Sequence, residues 1–112
     1  MAQKQSWKIQ INSELRQAEA ARISGNEGKA RVCARRAAGL AVEEYLRRQG
    51  VRLEPSSAYA YLRYLADMPD ISPGMRLVAG HFLERVTTEH SLPVDADLIA
   101  EARWLISKLL TD

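Results

Sequence analysis

The sequence predicts an all-α fold, a compact up-and-down bundle of about five helices forming one domain over residues 1–112. Three observations predict it. Proline or glycine stands at the breaks between segments of helical apolar periodicity, and no stretch alternates long enough to make a strand. A chain of 112 residues with 46% hydrophobic and 27% charged residues supplies one core and not two.

The first helix is expected from about Trp7 to Ser24, with Trp7, Ile11, Leu15 and Ala18 on one stripe. Gly25 and Asn26 tolerate left-handed backbone and close it. The second helix is expected from about Lys29 to Gln49, ending at Gly50. At about 100° per residue, Ala30, Cys33, Ala34, Ala37, Ala38, Leu40, Ala41 and Tyr45 share a broad arc facing the core. Alanine and glycine along that arc let neighbouring helices approach closely. Lys29, Arg36, Glu43 and Arg47 gather on the opposite side, with Arg35 at its edge, and Glu43–Arg47 and Glu44–Arg48 have favourable i,i+4 spacing.

A third helix is expected to start at Pro55, Ser56 and Ser57 and to place Ala58, Tyr61, Leu62, Leu65 and Met68 on one face before Pro69 breaks it. Ser72 is an N-cap, with Pro73 in the first helical position where a missing N–H costs nothing. This fourth helix turns Met75, Val78, Ala79, Phe82 and Val86 inward and is expected to stop near His90. Asp95 or Asp97 caps the fifth, which buries Ile99, Ala102, Ile106 and Leu109. The short connections make sequential helices antiparallel neighbours.

Several chemistries are excluded by composition. Cys33 is the single cysteine, so neither an internal disulfide nor a multi-cysteine metal site can form, and its Ala-rich surroundings make it a small buried hydrophobe. Two histidines and scattered acids give no zinc spacing, and the glycines of GNEG lack the Lys-Ser/Thr of a phosphate-binding loop. No metal or cofactor is expected. The longest apolar run, Ala37–Val42, is too short to span a bilayer, and MAQKQSWK contains no apolar signal region, so a cytoplasmic protein without a membrane partner is expected. Trp7, Trp104 and the tyrosines fall mainly on or beside apolar stripes and read as core.

The formal net charge of +2 hides an asymmetry. Residues 22–64 carry nine Arg or Lys against four Glu, and residues 65–112 carry four against eight acids. Either the halves attract each other or a partner, or a basic face meets nucleic acid. Lys29, Arg31, Arg35 and Arg36 at the start of the second helix are the candidate binding residues. They oppose the helix dipole and repel one another, and within a helix starting at Lys29 none has an acid four residues away. Acids of another helix or subunit would place Arg35 or Arg36 within about 4 Å of a carboxylate. Phosphates would leave the side chains pointing to solvent together.

GNEGKARVCARRAAGLAVEEYL, with the later SPGMRLVAGHFLERV and DADLIAEARWLISKLL, resembles the HEPN (higher eukaryotes and prokaryotes nucleotide-binding) domains over roughly Leu15 to Leu110. The resemblance implies a helical bundle that works as a homodimer. Apolar residues beyond one stripe of the last helix (Leu98, Trp104 and Leu105) fit a dimer as well. It further implies either a non-catalytic module binding RNA, a nucleotide or a partner protein such as an antitoxin, or a metal-independent endoribonuclease toxin. The catalytic branch carries Arg and His separated by four to six residues, paired across a dimer. Arg85 and His90 match that spacing and are the candidate catalytic pair; Arg76 and His81 match it too. A five-residue step turns a side chain by about 140°, so Arg85 and His90 leave opposite flanks of a regular helix. Arg85 and His81 share a face.

Overall fold

The computed structural model describes residues 2–84 and 96–110, with side chains from residue 6 onward. It contains five helices: α1 (Ala2–Ile23), α2 (Glu27–Arg47), α3 (Ala58–Asp67), α4 (Pro73–Leu83) and α5 (Leu98–Leu109), and no strand among the described residues. The expected helical bundle is the observed one.

Helix α2 lies at the centre, packed on α1, α3 and α5, while α4 closes against α3 and α5. Its small residues explain that position. Ala30, Cys33, Ala34, Ala37, Ala38 and Ala41 are all buried, and so are Gly39 and Val42. Gly39 makes the closest approach: a Cβ placed on it would stand 2.6 Å from both Cα and Cβ of Ala58, at the start of α3. Only glycine admits that crossing.

The described helix boundaries are largely specified by local chemistry. Gly25, at φ 87°, donates to Arg22 O and Asn26 N donates to Ala21 O, which is a Schellman motif closing α1. The Asn26 side chain then accepts from Lys29 N and caps α2, so one residue ends one helix and opens the next. Gly50, at φ 80°, repeats the motif at the end of α2 through Arg47 O and Leu46 O. Ser57, Ser72 and Asp97 cap α3, α4 and α5 by accepting from Ala60, Met75 and Ala100.

Some boundaries and faces differ from the sequence expectation. α2 begins at Glu27, α3 begins at Ala58 rather than Pro55, and α4 ends at Leu83, where Glu84 is extended. In α5 the core residue is Leu105 and Ile106 is only partly buried, because the buried stripe includes Leu98 and is rotated by one residue. Leu98 and Leu105 therefore belong to the core of the chain itself. Tyr59 and Tyr64 are exposed while Tyr61 is buried, its hydroxyl accepting from Leu53 N. Val86 lies outside the described residues.

Candidate functional site

The basic start of α2 is split by helix geometry. Arg31 and Arg35, four residues apart, share one flank; Lys29 and Arg36, seven apart, share another. Arg31 and Arg35 line a cleft of about 100 Å³ between α2 and the end of α4, together with Gly28, Val32, His81, Phe82, Glu84 and Leu98. Arg36 lines a separate groove against α1 and the start of α3. The four cations do not form one patch.

Among the described residues, neither Arg35 nor Arg36 has a carboxylate within 4 Å. The expected pairing of Arg35 or Arg36 with a carboxylate of another helix is not found among the described residues, and other cations hold the acids there. Arg22 grips Glu27 through two bonds of 3.1 and 2.7 Å and reaches Asp97 of α5 at 2.8 Å. Arg103 reaches Glu19 at 2.9 Å. Because α2 starts at Glu27, Arg31 does have an acid four residues before it, and its charge helps hold the Glu27 carboxyl below the usual range, after the larger effect of the Arg22 hydrogen bonds.

Arg35 is half-buried and makes no hydrogen bond or ion pair among the described residues. A guanidinium carries five N–H donors, and one without protein acceptors leaves them open to water or to an anion. Gly28, in the first turn of α2, brings the positive end of that helix to the same cleft.

His81 faces the cleft from α4. Its Nδ1 lies 2.7 Å from Glu101 Oε1 of α5, with the two side chains 19% and 24% exposed. A carboxylate held on Nδ1 fixes the ring orientation and leaves Nε2 as the free nitrogen. Sequence spacing gave no sign of this pair, since its members stand twenty residues apart on different helices. Arg76, which matches the Arg-x4-His spacing with His81, is spent otherwise: it donates to Ala66 O and Met68 O and caps the end of α3. Arg85 and His90 lie outside the described residues.

The expected Glu43–Arg47 pair is replaced. Glu44, 5% exposed, accepts from Arg47 at 2.8 and 2.9 Å and from Arg48 at 2.9 Å. Those bonds, Arg47's foremost, hold the Glu44 carboxyl below the usual range. Cys33 is buried, and burial pushes its thiol up, with the nearby Glu14 charge adding to it. No group of three His, Cys, Asp or Glu able to hold a metal occurs among the described residues, and no described helix is long and apolar enough to cross a membrane. No known family model, curated protein or solved structure matches the chain.

Proposed function

We propose that the protein is a helical interaction module that binds RNA through a phosphate seated in the cleft of Arg31, Arg35 and His81. The observation that carries this reading is Arg35, a partly buried side chain lining the cleft whose guanidinium has no acceptor among the described residues. The resemblance to HEPN domains points the same way and adds a homodimer. The exposed Leu77 of α4, beside Pro73 and Gly80, is a surface that self-association would cover.

The test is fluorescence anisotropy with a single-stranded RNA oligonucleotide at two salt concentrations. Losing a phosphate contact at Arg35→Ala should weaken binding at least about tenfold and lower the salt slope by about one. The Lys29→Ala, Arg36→Ala double variant, altered on the other flank, should bind within about twofold of the parent chain. Light scattering on the same samples reports whether the binding form is the homodimer. Wild-type affinity in Arg35→Ala would overturn the assignment.

The Glu101-held His81 favours a second reading, metal-independent RNA cleavage. On this reading His81 would take the proton of a 2′-hydroxyl attacking the neighbouring phosphate and return it to the departing 5′-oxygen, with Arg35 neutralising the charge that develops. Cleavage in EDTA that is lost in His81→Ala supports this reading. Cleavage lost only in His90→Ala assigns the chemistry to the Arg85–His90 spacing.

A further inference from the structure

Gly80 is a glycine that the single chain does not explain. Gly39 is required by the crossing of α3, and Gly25 and Gly50 by their positive φ. Gly80 lies inside α4 without a positive φ, and a Cβ placed on it would meet nothing within 4 Å. Glycine is a poor helix former, so its place there has no local reason. What its missing side chain provides is a low point on the outer face of the helix.

That face is unpartnered among the described residues. α4 turns Val78, Ala79 and Phe82 into the core, against α3 and α5. Pro73, Arg76, Leu77 and Glu84 are exposed, Leu77 to 62%. They line a groove of about 520 Å³ whose other walls are Ile71, Gly80 and His81.

The charges on this face complement a copy of themselves. Arg76 and Glu84 stand four residues either side of Gly80, roughly one turn away in each direction. They lie about 12 Å apart along α4, and no ion pair joins them. Arg76 is held by its bonds to Ala66 O and Met68 O, which leave the rest of its five N–H donors open to a carboxylate. Glu84 makes no ion pair or side-chain hydrogen bond among the described residues. His81, the other titratable group of the groove, is engaged at Nδ1 by Glu101 of α5. Against a second α4, antiparallel about a two-fold axis at Gly80, Arg76 of each copy meets Glu84 of the other. The paired glycines let the helices approach closely, and Leu77 is covered on both.

We propose that the chain self-associates through α4, crossing at Gly80, with two Arg76–Glu84 ion pairs between the copies. This rests on the homodimer of the reading above and gives that homodimer its contact face and register. One helix face buries little area, so association is weak, with a dissociation constant of about 10–500 µM.

Sedimentation equilibrium of the full chain without RNA tests it. Glu84→Arg and Arg76→Glu each set like charges together and should weaken association at least about tenfold. Mixed in equal amounts, the two variants restore both ion pairs and should form a mixed dimer. Gly80→Gln fills only open space in the single chain and suits a helix better. It should melt no lower than the parent at dilute concentration, yet associate at least about tenfold more weakly. Should Arg76→Glu fail to fold for want of its bonds to α3, Glu84→Arg and Gly80→Gln carry the same test. A parent chain that stays single at about 1 mM overturns the proposal. So does a dimer that Glu84→Arg and Gly80→Gln leave intact, which would use another face, or folded charge variants that stay single when mixed. Arg35→Ala should associate as the parent does, so loss of the RNA contact and loss of this face read out separately.

Discussion

Gly39 shows how much a single missing atom can decide. Most of the buried arc of α2 tolerates a methyl group, as its five buried alanines demonstrate. At Gly39 the same methyl would meet α3 backbone at 2.6 Å, and backbone cannot rotate out of the way. Gly39→Ala should therefore destabilise the chain by about 1–3 kcal/mol through overpacking, although alanine is the better helix former. Urea unfolding measures it, and a Gly39→Ala variant as stable as the parent would show that α3 can move away. The sequence makes the small-residue arc legible, but not which small residue carries the crossing, because that depends on where α3 lands. Glu44 is a similar case. Its i,i+4 partner Arg48 can be read from spacing, whereas its capture of Arg47 in place of Glu43 follows from burial of Glu44.

Most helix caps were readable, whereas the end of α4 at Leu83, expected near His90, was not. Gly25, Asn26, Gly50, Ser57, Ser72 and Asp97 all act where their local chemistry directs. Faces were less readable, because one residue of helix is about 100° and a stripe can be read one position out, as Ile106 and Leu105 illustrate. Docking of α5 depends on a residue with two jobs. Asp97 caps the helix through Ala100 N and also accepts from Arg22 at 2.8 Å. The two contributions separate by substitution. Asp97→Asn keeps a good cap and loses only a solvent-exposed ion pair, so it should cost less than about 1 kcal/mol. Asp97→Ala loses both and should cost about 1–2 kcal/mol. Equal losses in chemical denaturation would mean that the ion pair, and not the cap, holds the end of α5.

For the whole molecule, the opposed charge of the two halves is met only in part within the chain. Arg22 joins the basic half to Asp97 of the acidic half, yet Arg35 and Arg36 keep their charge unmatched among the described residues. The candidate site was half legible for this reason. Residue type and density mark the start of α2, but only the folded positions of α4 and α1 sort its cations into a cleft and a groove. Acid should act on the whole fold. Glu44, Glu27 and Asp97 are each held below their ordinary values mainly by hydrogen bonds from Arg47 and Arg22. A carboxyl whose folded pKa is depressed contributes stability above its unfolded pKa, and loses it as pH falls through the folded one. The melting temperature should thus hold level from about pH 7 to pH 5 and fall steadily below about pH 4.5. A melting temperature unchanged down to about pH 3 would mean that these pairs add nothing to the fold.

The double duty of Asn26 also bears on time. Because one turn both ends α1 and starts α2, the largest interface of the molecule is made between chain neighbours and needs almost no loop closure. α5, by contrast, must find α2 across most of the chain. The α1–α2 hairpin is then the natural nucleus of folding, and α5 arrives last. In rapid-mixing experiments Gly25→Ala should chiefly slow refolding, whereas Asp97→Ala should chiefly hasten unfolding. The order of assembly is written into a three-residue turn.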